Sequence, residues 1–355
     1  MIVKRNDGNN IIDFTVKAPA KLNLTLDISG KRSDGFHLLR SYFHTVALAD
    51  DILVKIETCR GDSLPSETIR ANRQATIKDK NTYGINLLIG DELWLIGLQV
   101  RGEFAVPASG NNTIIKVFRE LADRLRSDNE HSLLEATKYV RRCRIELTKN
   151  IPNEAGLGGG SSDAAALIEV LANLKTENSQ STFLPSSAVK KELATAIGMD
   201  VPFFLTGGMA EITGAGETVR QIEKTTELPV IIFKPETGIS TAIAYKIYDQ
   251  LKADETAPYR PDNDKFITNW LEADYGKALL YSGNAFEAIL KLVMPEYIQL
   301  LSYIRQQTDS ASAHLSGSGS AGWIIPSDHK KCESILCALN KKKVWCKLTN
   351  LQKRI

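Results

Sequence analysis

Ile151-Pro152-Asn153-Glu154-Ala155-Gly156-Leu157-Gly158-Gly159-Gly160-Ser161-Ser162-Asp163-Ala164-Ala165-Ala166 is a glycine-rich stretch that runs directly into a helix. Ala164, Leu167, Ile168, Leu171 and Leu174 recur at helical spacing, so one apolar face continues after the loop. The consecutive glycines let the backbone turn its N–H groups toward a ligand without obstruction from Cβ atoms. The start of the helix adds unpaired N–H groups and the positive end of its dipole. Together these features make a cradle for phosphate oxygens. A flexible glycine/serine linker is the competing reading, but linkers seldom lead straight into a patterned helix with serines at its start.

The stretch is neither of the two commonest phosphate motifs. No Gly-Lys-Ser/Thr follows it, and Ser161 stands where the third glycine of G-x-G-x-x-G would be. A phosphate loop without its own lysine draws positive charge from Mg²⁺ and from a lysine distant in sequence.

The rest of the chain fits an enzyme of ordinary composition. Its 355 residues and 43% hydrophobic content are ample for a buried core and suggest two domains. The net charge of +2 gives no reason to expect a nucleic acid or a membrane as partner. Cys59, Cys143, Cys332, Cys337 and Cys346 show neither a C-x-x-C pair nor zinc spacing, as expected of free thiols in a reducing cytoplasm. No apolar signal segment and no run of membrane-spanning length is present in the sequence.

Alternating apolar residues predict strands over Phe14–Ser29, Phe36–Val46, Asp51–Ile56, Leu93–Val100 and Cys143–Leu147. Cys59–Asp91 is polar and poor in period, and reads as an excursion. Asn112 opens a helix that carries Ile115, Val117, Phe118, Leu121 and Leu125. A further helix spans Ser186 to Gly198, with Gly198 as its C-cap. Pro229–Phe233, Trp323–Ile325 and Lys343–Leu348 read as strands late in the chain. Strands and helices come in clusters, which predicts an α+β fold.

Three features outside the glycine loop carry chemistry. Lys21 and Asn23 interrupt an apolar strand at period two and so point to the same side. A lysine on a half-buried strand needs an anionic partner or a ligand, unless it snorkels from an edge. Asp200 follows a helix and precedes Val201-Pro202-Phe203-Phe204, where an ordinary turn aspartate is the alternative. Ser316-Gly317-Ser318-Gly319 lies in a second glycine-rich loop, which could equally be a surface turn.

Four separated motifs resemble, in order, those of the GHMP kinase superfamily. They are Pro19-Ala20-Lys21-Leu22-Asn23, the Gly156–Ser162 loop, Asp200-Val201-Pro202 and Ser316-Gly317-Ser318-Gly319. Arg32-Ser33-Asp34-Gly35-Phe36-His37 is similar to the R-x-D-G-Y-H signature of the superfamily branch that phosphorylates a cytidine diphosphate-linked alcohol in the non-mevalonate isoprenoid pathway. The resemblance implies a two-domain fold, with a ribosomal S5 domain 2-like N-terminal domain over 1–220 and a ferredoxin-like C-terminal domain over 221–355. It implies an ATP-dependent kinase, cytoplasmic and a monomer or homodimer, that uses Mg²⁺ with ATP and phosphorylates the C2 hydroxyl of 4-diphosphocytidyl-2-C-methylerythritol. Lys21 and Asp200 would be its catalytic pair. ATP would be bound by Asn112, Lys149, Pro152, Gly156, Leu157, Gly158, Gly159, Gly160, Ser161 and Ser162, with Ser161 near Mg²⁺. The acceptor would meet Asn23, Asp34, Gly35, Phe36, His37, Tyr245, Ser316, Gly317, Ser318 and Gly319, with Phe36 and Tyr245 sandwiching the cytosine and His37 reading its polar edge.

Three departures from the family pattern stand out. Phe36 replaces the usual tyrosine, so stacking survives without a hydroxyl contact. Glu154 stands at the loop entrance where the family has a small or apolar residue, and it is expected to face solvent. The Cys59–Asp91 stretch is longer than usual. Two alternatives are another GHMP kinase, acting on homoserine, mevalonate phosphate or a sugar, and a non-catalytic nucleotide-binding sensor. The Asp34-Gly35-Phe36-His37 run argues against the first, and the presence of both Lys21 and Asp200 against the second.

Overall fold

The computed structural model describes residues 3–8, 10–60, 75–90, 92–125, 139–175, 184, 186–224, 226–251, 256, 259–308, 313–326 and 329–353. The chain forms two compact units, each discontinuous in sequence. The first comprises Met1–Pro19, Ala49–Ile151 and Gly159–Leu205; the second comprises Ala20–Leu48, Pro152–Gly158 and Thr206–Ile355. Two long strands, Ile11–Lys31 and His37–Arg60, run through both units.

In the first unit the strand Tyr139–Thr148 is central. It pairs antiparallel with the second half of His37–Arg60, from Asp51↔Thr148 to Arg60↔Tyr139, and parallel with Glu92–Arg101. Glu92–Arg101 pairs antiparallel with Thr82–Ile89, and Thr82–Ile89 with Ala75–Asp79. Tyr83, Ile85, Leu87 and Ile89 are all buried, so the later part of the expected excursion is sheet. Its apolar alternation is regular over Thr82–Ile89, and the polar residues upstream of it obscure the signal. Residues 61–74 of that stretch lie outside the described residues. Helices Thr113–Arg124, Gly159–Ala172 and Ser187–Ile197 pack on one another, and the first also packs on Thr82–Ile89.

The second unit holds the other halves of the two long strands. Leu39–His44 pairs antiparallel with Met209–Gly214, which in turn pairs with Thr218–Ile222. Gly283–Asn284 lies parallel to Thr25–Leu26. A separate antiparallel sheet has the order Ala313–Leu315, Gly322–Ile324, Pro229–Lys234, Trp345–Asn350. Ile231, Phe233, Phe286, Ile289, Tyr297 and Leu315 form its apolar core together with the helices around it. The class is α+β, as the clustering of elements predicts.

Two local expectations differ in detail. His37–Arg60 is one unbroken strand where two were expected. Asp50 lies in the gap between the two expected strands, and its carboxylate accepts hydrogen bonds from Asn150 N (2.6 Å) and Ile151 N (2.8 Å), so the strand carries it without a turn. Gly198 does cap the helix Ser187–Ile197, but at φ 174° it is extended, so the left-handed freedom of glycine is not used there.

Candidate active site

The phosphate loop begins on a buried electrostatic footing in the first unit. Lys149 ends a strand-to-loop transition and is buried, with its ammonium paired to both Asp50 and Asp163 (2.7 Å to the latter). Burial opposes the charge on Lys149, but the Asp163 and Asp50 carboxylates outweigh it and raise its pKa above the ordinary lysine value. Burial pushes the Asp163 carboxyl up to about 7, against the pull of Lys149. The Lys149 side chain is therefore engaged beneath the loop; a Cβ on Gly159 would lie 3.3 Å from its Nζ and 3.2 Å from Ile151. Neither Asp50 nor Asp163 was singled out from sequence. The available signals were an aspartate inside an apolar strand and another directly after the loop serines.

Two helix starts meet at this footing. Asn112 caps Thr113–Arg124 by accepting from Ile114 N at 3.0 Å. Thr113 Oγ1 donates to Gly160 O at 2.7 Å, which ties that cap to the first turn of Gly159–Ala172. The two helix starts are thus adjacent, and a helix start is where an anion finds unpaired N–H groups. The Ser162 hydroxyl is buried and has no hydrogen-bond partner among the described residues. Ser161, beside it, is half-buried. Asp200, also in this unit, is half-buried in the turn between Ser187–Ile197 and the short helix Val201–Thr206, where Val201 N donates to Gly198 O at 3.1 Å.

The second unit brings together Lys21, Asn23, the first part of the phosphate loop and the second glycine loop. Lys21 is only 3% exposed, which excludes a snorkelling edge lysine. Its N–H donates to Leu157 O at 2.9 Å, and its Nζ donates to Asn23 Oδ1 at 2.5 Å and lies 4.4 Å over the Phe43 ring. Asn23 Nδ2 donates to Ser41 Oγ at 3.0 Å, so the Asn23 amide is a holder of Lys21. Ser316 Oγ donates to Gly156 O at 3.0 Å, and Ala321 N donates to Ala155 O at 3.1 Å. A Cβ on Gly156, which has φ +72°, would fall 2.0 Å from Ser316 O. Ser316–Ala321 is buried throughout, so this loop is no surface turn. Asn284, missed from sequence, clamps it by donating from Nδ2 to Leu315 O and Gly317 O, both at 2.9 Å. Pro152 and Leu157 are buried supports, whereas Glu154 is exposed, as expected, in a left-handed conformation at φ +50°.

Arg32–Phe36 forms a tight turn in the same unit. Gly35 takes φ +90°, which only glycine adopts readily, and Asp34 Oδ1 accepts from Phe36 N at 3.2 Å. Phe36 is 49% exposed, which places its ring outside any core. His37 stacks on Tyr245, with centroids 4.3 Å apart and an interplanar angle of 20°. Tyr245 in turn meets the Phe286 edge-to-face at 4.8 Å. One face of Tyr245 is thus covered by His37, where a ring from the ligand was expected. His37 Nε2 lies 2.5 Å from Asp249 Oδ1, and Lys31 Nζ lies 2.5 Å from Asp249 Oδ2. Ser318 Oγ meets Thr241 Oγ1 at 2.9 Å, on the helix that carries Tyr245.

Residues 112–208 match the family model of the GHMP kinases N terminal domain. The fold is shared with a crystal structure of 4-(cytidine 5'-diphospho)-2C-methyl-D-erythritol kinase (TM-score 0.61, 22% identity, 95% of this chain and 99% of that one) and with homoserine kinase from Cytophaga hutchinsonii (TM-score 0.58, 13% identity, 98% and 96%). Together with the relatives that follow, the family model shows a small-molecule kinase of the GHMP class. Named 4-diphosphocytidyl-2-C-methyl-D-erythritol kinases from Carboxydothermus hydrogenoformans and Geobacillus sp. (strain WCH70) are 31% and 32% identical to it, over 90% and 86% of this chain and 90% and 85% of their own lengths. The chain belongs to the 4-diphosphocytidyl-2-C-methyl-D-erythritol kinase family.

Proposed function

We propose that the protein transfers the γ-phosphoryl group of ATP to the C2 hydroxyl of 4-diphosphocytidyl-2-C-methyl-D-erythritol. The observation that carries this reading is identity above 30% to kinases of that name across nearly the whole chain, in a sequence that holds both the Asp34-Gly35-Phe36-His37 run and the phosphate loop. Backbone N–H groups of Gly156–Ser162 hold the phosphates at the start of the helix Gly159–Ala172. Asp200 orients the acceptor hydroxyl and accepts its proton. A carboxylate is a weak base, but it suffices when proton transfer is late in a loose transition state. Lys21, fixed by Asn23 and by the Leu157 carbonyl, stabilises the charge on the transferring group. Phe36, exposed on its turn, stacks on the cytosine.

Mg²⁺ bound with ATP neutralises phosphate charge. No group of three or more His, Cys, Asp or Glu side chains among the described residues could hold a metal unaided. The Ser162 hydroxyl, without a partner among the described residues, and its neighbour Ser161 fit a site completed by phosphate oxygens. These two side chains would hold the ion.

A coupled ADP-release assay over a panel of alcohols tests the reading. Turnover is expected with the cytidine diphosphate-linked alcohol and not with homoserine, mevalonate phosphate or sugars. Equal turnover of a non-cytidylyl alcohol would overturn it.

A further inference from the structure

The acceptor subsite contains a carboxylate that none of the assigned roles uses. Asp249 follows the helix Thr241–Tyr248 and is anchored to it by its own N–H, which donates to Tyr245 O at 2.9 Å. One carboxylate oxygen meets His37 Nε2 and the other Lys31 Nζ, each at 2.5 Å. Lys31 and His37 together hold the Asp249 carboxyl below the usual carboxylate range, so at neutral pH it is an acceptor only. The His37 ring lies flat against Tyr245 of the same helix, which sets its plane, and the bond to Asp249 sets which edge faces the carboxylate. Its Nδ1 makes no hydrogen bond among the described residues.

From this arrangement we propose that Asp249 is a positioning residue that makes the acceptor subsite prefer cytosine over uracil, by fixing the tautomer of His37. The inference rests on the cytidine-linked acceptor proposed above. A neutral imidazole carries one N–H, and which nitrogen bears it follows from the hydrogen bond the other makes. Asp249 draws the proton to Nε2. Nδ1 is then left as a lone-pair acceptor, held in place by the stack. Cytosine presents an amino donor at its 4-position, where uracil presents a carbonyl acceptor. An Nδ1 lone pair accepts from the first and repels the second. Without the carboxylate the proton is free to sit on either nitrogen, and the distinction between the bases is lost.

The test compares cytidine 5'-monophosphate and uridine 5'-monophosphate as inhibitors competing with the acceptor, at saturating ATP and pH 8.5. The wild-type protein is expected to bind the cytidine nucleotide about tenfold or more tightly, the scale of one well-placed base contact. In Asp249→Ala the two inhibition constants should come within about threefold of each other, and KM for the acceptor should rise by more than kcat falls. Asp249→Glu, with a carboxylate on a longer stem, should recover part of the preference. The ratio is insensitive to partial unfolding, which scales both constants alike. A wild-type preference that survives intact in Asp249→Ala overturns this inference alone. Absence of any cytosine preference in the wild type overturns it together with the cytidine-linked acceptor.

Discussion

Asp200 and Phe36 are the side chains on which the proposed chemistry and substrate depend most directly. Asp200→Asn keeps the shape of the turn and removes the base, so turnover should fall about 10²–10⁴-fold with the protein still folded and still binding ATP. Near-wild-type turnover would remove Asp200 from the mechanism. Phe36 reads in sequence as either a stacking ring or a core aromatic; its exposure excludes the core, and stacking on the cytosine is the role proposed for it. Phe36→Ala should therefore weaken acceptor binding by about 1–3 kcal/mol, measured by titration, with the melting temperature nearly unchanged. A large stability loss at constant acceptor affinity would return the ring to the core. Lys149 and Asn23 show the limits of reading single residues. Both were expected to meet ligands, and both side chains are engaged inside the protein, by Asp50 and Asp163 in one case and by Lys21 and Ser41 in the other. Sequence placed them near the two loops, but partners as far off as Asp50, 99 residues from Lys149, leave no local signal.

At the scale of elements, the two glycine loops depend on glycine for different physical reasons. Gly159 opens a helix over Ile151 and the Lys149 ammonium, with room for a small atom and no more. Gly159→Val puts a branched side chain there and into the anion cradle, and nucleotide titration of the folded variant should show ATP binding abolished. Unchanged affinity would mean the loop holds no phosphate. Gly156 instead has a left-handed conformation and packs against the Ser316 carbonyl. Gly156→Ala should cost about 1–2 kcal/mol from backbone conformation alone, and more from the forced separation of the loops, read by denaturant unfolding. The helix after the phosphate loop was legible in sequence because period and start signals are local. The strand Thr82–Ile89 was not, because its alternation is set among polar neighbours and its burial depends on Glu92–Arg101 beside it.

For the molecule as a whole, stability in acid should depend on His44. It is fully buried, its Nδ1 lies 2.9 Å from Thr45 O, and its Nε2 has no partner among the described residues. Burial lowers its pKa from 6.5 to about 4, against the Thr45 hydrogen bond. A neutral folded histidine contributes stability that is complete above about 6.5 and is lost as pH falls to about 4. That loss is about 3 kcal/mol at roughly 1.4 kcal/mol per pKa unit. Asp163 acts in the opposite sense, since a carboxyl raised to about 7 favours the folded state most in acid. Comparing wild type with His44→Gln removes that contribution. Between pH 7 and pH 4 the wild type should lose about 3 kcal/mol more than the variant in urea unfolding; equal losses would show that His44 is not buried neutral. The sequence by itself determined the class of elements, the two glycine loops, the turn at Asp34-Gly35 and, through their ordered resemblance, the chemistry. These are read from neighbours a few residues apart, where period, capping and turn preference act. Only the tertiary structure decided that each compact unit is assembled from separated segments, that Lys149 lies between two buried carboxylates, one of them 99 residues away, and that His37 is held by Asp249, 212 residues away. Such pairings are fixed by burial and hydrogen-bond satisfaction after the chain has folded, and they leave no periodic trace in the sequence.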